Sequence, residues 1–98
     1  MPFCHCVMFR WNDDVDADHI ARVKAGLDTM PDRIDSIRRY RHGTDAGVNA
    51  GTYDYAVMAE FDDVEGYLAY RDHPHHQRFI AELITGNVAE RASVQFEC

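Results

Sequence analysis

From Tyr53 to Phe61 bulky apolar residues recur at every second position: Tyr53, Tyr55, Val57, Ala59 and Phe61 alternate with Asp54, Ala56, Met58 and Glu60. A period of two places the first set on one side of a pleated strand, which then needs a covering layer on that side. The downstream sequence supplies one. Asp62-Asp63 leads into Val64–Arg71, where Val64, Tyr67 and Leu68 are spaced to pack inward from a helix. Pro74, suited to a first helical position, opens a second helical piece that runs to about Ile84, and Gly86 closes it. Ala89–Glu97 alternates again, with Ala92, Val94 and Phe96 against Arg91, Ser93 and Gln95.

The first half repeats this logic. Phe3–Trp11 is apolar and rich in aromatic residues, which favours a strand with Phe3, His5, Val7, Phe9 and Trp11 on one face. Asn12-Asp13-Asp14 breaks it. From Asp16 the positions Ile20, Val23, Leu27 and Met30 follow helical spacing, with Asp16 and Asp18 near the positive end of the helix dipole and Pro31 as the stop. Ile34–Arg41 suits a second strand, and Gly43–Gly51 reads as a loop. The resulting order, β-α-β-β-α-β, is that of an α+β ferredoxin-like fold with a four-stranded antiparallel sheet. Residues 1–98 make one domain, without repeat or linker. Both helices fall on one side of the sheet. Ala56 and Met58 are then left on an uncovered face, and a second copy packed sheet against sheet is the expected cover.

Composition narrows the partners. Seventeen acidic against ten basic residues give a formal charge of −7, which disfavours nucleic acid and anionic membranes. Arg38, Arg39 and Arg41 would be divided between two strand faces. No run approaches the roughly 20 apolar residues of a membrane-spanning helix, and the N-terminus carries no charged-then-apolar leader pattern. Cys4 and Cys6 point the same way from one strand and are too far apart for an easy disulfide. Cys98 ends the chain. Three reduced thiols in a cytoplasmic protein is the expectation.

The chemistry-bearing stretch is Tyr70-Arg-Asp-His-Pro-His-His76, with one phenol and three of the six histidines. A proton-handling pair can be built from these groups. His73, before Pro74, is placed to cap the new helix or bond a nearby backbone group. His75 and His76 diverge by about 100° on a helix, which turns His75 to solvent. His73, His75 and His76 with Asp72 offer no i, i+4 ligand pair, so no metal is expected. Asp62 and Asp63 read as a helix start. Gly43, Gly47 and Gly51 form no phosphate-cradling loop, so no cofactor is expected either.

Three stretches together resemble the stress-responsive α/β-barrel domain (Dabb) family over nearly the whole chain. They are His5 within an apolar first strand, Gly51-Thr-Tyr-Asp-Tyr-Ala-Val at the entry to the third, and Tyr67-Leu-Ala-Tyr-Arg-Asp-His-Pro-His-His-Gln-Arg-Phe at a helix end. The resemblance implies a homodimer whose two sheets close into an α/β barrel. In the olivetolic acid cyclase-type members, a tyrosine three residues before His-Pro and the histidine two after that proline carry aldol chemistry. The matching positions here are Tyr70 and His76, as oxyanion donor and general base. His5, reaching from the sheet, would orient the pair or bind substrate. Those members also carry a pocket histidine early in the third strand, where Tyr55 stands here, so their particular product does not transfer. The expectation is a small apolar or aromatic ligand held by His5, Tyr55 and His73, and a cofactor-independent cyclase or lyase acting through His76 and Tyr70. The rival reading is a non-catalytic, stress-associated binding or interaction protein.

Overall fold

A computed structural model describes all 98 residues, Met1–Cys98. Along the chain run β1 (Phe3–Trp11), α1 (Ala17–Asp28), α2 (Met30–Arg33), β2 (Ile37–Thr44), β3 (Tyr55–Phe61), α3 (Val64–Asp72), α4 (Pro74–Phe79), a π-helical segment (Ile80–Ile84) and β4 (Val88–Glu97). The four strands lie in the order β2-β3-β1-β4, and each hydrogen-bonded pair is antiparallel. This is the ferredoxin-like α+β fold with a four-stranded antiparallel sheet. The first crossover, expected as one helix, is divided into α1 and α2, and the second is divided at Pro74 as expected. Asp16 and Asp63 cap α1 and α3 by accepting from the amides of His19 and Gly66.

Strand parity sorts the two sheet faces. His5, Val7 and Phe9 stand opposite Ala59, Val57 and Tyr55, and all six are buried beneath the helices. Fourteen residues form one apolar core on that side, including Val23 and Leu27 from α1, Tyr70 from α3 and Phe79 from α4. Helix α1 approaches α4 so closely that a Cβ on Gly26 would lie 2.7 Å from the Phe79 ring. The opposite face has no helix. Cys6 pairs there with Met58 and Val94, and Met8 with Ala56 and Ala92. Met8, Met58, Val94 and Phe96 remain 41–56% exposed. A patch of large apolar side chains therefore lies across β3, β1 and β4.

Several local expectations are corrected. The helix expected to stop at Pro31 ends at Asp28, where Thr29 caps it, and Pro31 instead starts α2. Its ring tolerates that position because a first-turn amide has no partner to lose. The second strand begins at Ile37 rather than Ile34 and continues through Gly43 and Thr44, which were expected in the loop. Ile34 closes α2 and is buried in the core. Tyr53 precedes β3 rather than opening it, and its ring lies 4.3 Å below the Arg10 guanidinium.

The cysteine expectation is also overturned. Cys4 and Cys98 form a disulfide, and only Cys6 is free. The physical reason is strand pairing: Cys4 stands opposite Phe96, two residues before Cys98, which brings the Cα atoms to 6.0 Å. That spacing lies within the range disulfides need. The bond spans a sequence separation of 94 residues, and links closing long loops stabilise by about 2–4 kcal/mol. Cys4→Ser should lower the unfolding free energy by that amount in urea titrations. Reductant should destabilise the parent to the same level and leave the variant unchanged.

Candidate active site between sheet and helices

A cavity of about 400 Å³ opens between the helix-covered sheet face and the α3–α4 layer. Val7, Phe9 and Val57 form its floor, and Leu27, Phe79, Ile80 and Ile84 form its apolar wall. Part of that wall is the π-helical segment, an irregularity often found beside functional sites. Its polar groups are His5, Tyr67, Tyr70, His76, Arg71, Thr85 and Arg91. The volume falls in the range of small-molecule sites.

Each imidazole is assigned a tautomer by its bond. His76 Nδ1 lies 3.0 Å from the Arg71 carbonyl oxygen. A carbonyl only accepts, so Nδ1 carries the proton and Nε2 keeps its lone pair. Burial holds His76 below the ordinary imidazole range, against the opposing pull of the Arg71 hydrogen bond. The ring is therefore neutral near pH 7, with a basic nitrogen that bonds to nothing else in the chain. Its centroid lies 4.2 Å from that of Tyr70. His5 is the complement. Its Nδ1 accepts from Gln95 Nε2 at 2.8 Å, which leaves the proton on its own Nε2. Burial, with the Arg91 charge second, lowers the His5 pKa to about 4. One imidazole offers a base and the other a neutral N–H donor.

Tyr70 is buried, and its hydroxyl lies 2.8 Å from that of Tyr40 on β2. Burial pushes its pKa up to about 12, while the hydrogen bond from Tyr40 works the other way. Tyr40 is pushed higher still, chiefly by burial. Both phenols therefore stay protonated at neutral pH, and either hydroxyl can donate in the pair; when Tyr40 donates, Tyr70 has its own proton to offer elsewhere. Sequence reasoning overlooked Tyr40. It also overlooked His42, because the second strand was expected to end at Arg41. The signal was present in the alternation of Tyr40 and His42 with Arg39 and Arg41.

Tyr55 and His73 do not join the cavity. Tyr55 shares the buried sheet face but donates its hydroxyl to His42 Nδ1 at 2.7 Å, and His42 Nε2–H in turn bonds Asp28 Oδ1 at 2.8 Å. Its phenol is thereby committed at the β2 side of the sheet. His73 caps α4 by accepting from the His75 amide with Nδ1. His75, expected in solvent, is half-buried and places Nε2 2.8 Å from Thr29 Oγ1, because α2 and α4 pack there. Of the five expected site residues, the fold brings His5, Tyr70 and His76 together.

His5 also sets a pH dependence of stability. Its folded pKa of about 4 lies below the ordinary 6.5, so between these values the unfolded chain binds the extra proton. Stability is full above pH 6.5 and declines as pH falls toward 4. The complete shift corresponds to about 3 kcal/mol, and access of water to the cavity reduces the expected loss to about 2 kcal/mol. Denaturant midpoints for the parent and His5→Gln across this window measure it. The variant should show the shallower slope.

Sheet, helices and cavity together define a ferredoxin-like α+β protein with an open cavity between its two layers. A sequence model of the stress responsive A/B barrel domain, Dabb, matches residues 3–98, and the chain belongs to that family. A stress-response A/B barrel domain-containing protein of Arabidopsis thaliana is 27% identical over 82 residues, covering 81% of this chain and 71% of that protein. A dimeric ferredoxin-like protein of unknown function from Thermobifida fusca YX superposes with a TM-score of 0.93 at 40% identity, over 100% of this chain and 92% of the other. The hydroxynitrile lyase of Passiflora edulis shares the fold at a TM-score of 0.84 and 17% identity, over 97% of this chain and 91% of that one. No helix is long and apolar enough to cross a membrane.

Proposed function

We propose that this protein is a homodimeric, cofactor-independent enzyme that moves a proton on a small apolar or aromatic molecule held in the cavity, as a cyclase or lyase. One observation carries the reading: His76 is a neutral base whose free nitrogen is set by the Arg71 carbonyl, in contact with a protonated Tyr70. Such a base takes a proton from a carbon flanked by carbonyls, and the phenol donates to the oxygen on which charge develops. The olivetolic acid cyclase-type chemistry suggested by Tyr70 and His76 belongs to this class; the activity named for the Passiflora neighbour would ask the same base to take a hydroxyl proton while cyanide leaves. A screen of short β-polyketides, aromatic keto acids and cyanohydrins tests it. Turnover that His76→Ala abolishes supports the reading, and no turnover across all three groups counts against it.

The rival, a binding or interaction protein without chemistry, draws on the Tyr40–Tyr70 hydrogen bond, which gives Tyr70 a structural occupation. The homodimer draws on the bare sheet face with Met8, Met58, Val94 and Phe96, and on the dimeric Thermobifida neighbour. A stable interface of this kind buries about 1,600 Å² in total. Light scattering at micromolar concentration should give twice the chain mass, and Met58→Asp with Val94→Asp should give a folded monomer. A monodisperse parent monomer contradicts the assembly.

A further inference from the structure

Charge is distributed unevenly in the cavity. The chain as a whole carries −7, yet no aspartate or glutamate lines this space. The charged side chains that do are Arg71 and Arg91. Arg71 is neutralised by its neighbour, with Nε 2.9 Å from Asp72 Oδ1 and Nη2 3.1 Å from Oδ2. Arg91 differs. It stands opposite Phe9 in the β1–β4 ladder, so it leaves the sheet on the helix side. The adjacent Glu90 leaves on the other side, where it pairs with Arg10. Of the two arginines that line the cavity, Arg71 is thus paired with a carboxylate, whereas the Arg91 guanidinium meets only Ser93 Oγ, at 3.3 Å.

We propose that the cavity selects small apolar carboxylic acids, with Arg91 receiving the carboxylate. The inference rests on the reading that this cavity binds a small molecule, and it names the class. A guanidinium fork matches a carboxylate in two parallel hydrogen bonds. Val7, Phe9, Leu27, Val57 and Ile84 accept the apolar body. The repulsion an anion meets elsewhere on an acidic protein makes this the favourable place for it. A bound acid then presents its other end to the imidazoles of His5 and His76.

Octanoate and octan-1-ol, matched in length and differing in charge, test this by calorimetric titration at pH 7. The parent should bind octanoate about tenfold or more tightly than octanol, in line with a charge-assisted hydrogen bond. Arg91→Gln should remove that preference and leave octanol affinity unchanged. Arg78→Gln, which changes an arginine outside the cavity, should keep it. Equal affinities in the parent, or a preference that survives Arg91→Gln, overturns the inference and leaves the small-molecule reading standing. If neither compound binds, both fail.

Discussion

Replacing His76 with alanine should reduce turnover by about 10²–10⁴-fold, the usual contribution of a positioned general base. The loss is expected to be chemical. His76 is half-buried on the short helix α4, outside the fourteen-residue core, so its truncation leaves fold and assembly in place. Because burial lowers its pKa, the basic form already dominates at neutral pH. The parent rate should therefore be flat near pH 7 and fall only as acid protonates Nε2, below the ordinary imidazole value of about 6.5. His76→Ala should lose this acid limb along with the rate. If the limb persists in the variant, some other group is the base.

Tyr70→Phe is the second large effect. Loss of an oxyanion donor costs about 10²–10³-fold in turnover. The substitution also leaves the Tyr40 hydroxyl without its partner, and an unsatisfied buried donor costs about 1–3 kcal/mol of stability. A double change separates the two consequences. In Tyr40→Phe with Tyr70→Phe neither hydroxyl remains, so stability should recover while turnover stays low. Tyr40→Phe alone should keep most of the turnover, since Tyr70 retains its proton. Activity that follows stability across this series would make the tyrosine pair purely structural.

The elements with strong periodicity were legible in the sequence and the weakly patterned ones were not. The β1 bounds agree with expectation because an aromatic run is followed by an abrupt polar break at Asn12. The β2 bounds do not agree. Ile34 is as apolar as a strand residue, but it closes α2, and Gly43 continues the strand with a residue that usually breaks one. That error concealed His42 and, through it, the true environment of Tyr55. Parity placed His5 and Tyr55 on one face correctly, yet parity does not say which partner lies above each strand. Tyr55 meets His42 and the loop-side end of α1, whereas His5 meets the α3–α4 corner. The disulfide escaped for a similar reason. Cys4 and Cys98 become neighbours only once β1 and β4 pair, across a sequence separation of 94 residues.

The central claim is that His76 acts as a base on a carbon acid within the cavity. Exchange of carbon-bound hydrogen with deuterium oxide, followed by proton NMR, tests it without requiring the natural substrate. Short 3,5-dioxo acids serve as probes, since they combine activated methylene groups with a carboxylate. The parent should accelerate exchange at the methylene above the buffer rate, saturably, and His76→Ala should return it to the buffer rate. Exchange at the buffer rate with the parent, or equal acceleration by His76→Ala, would contradict the claim.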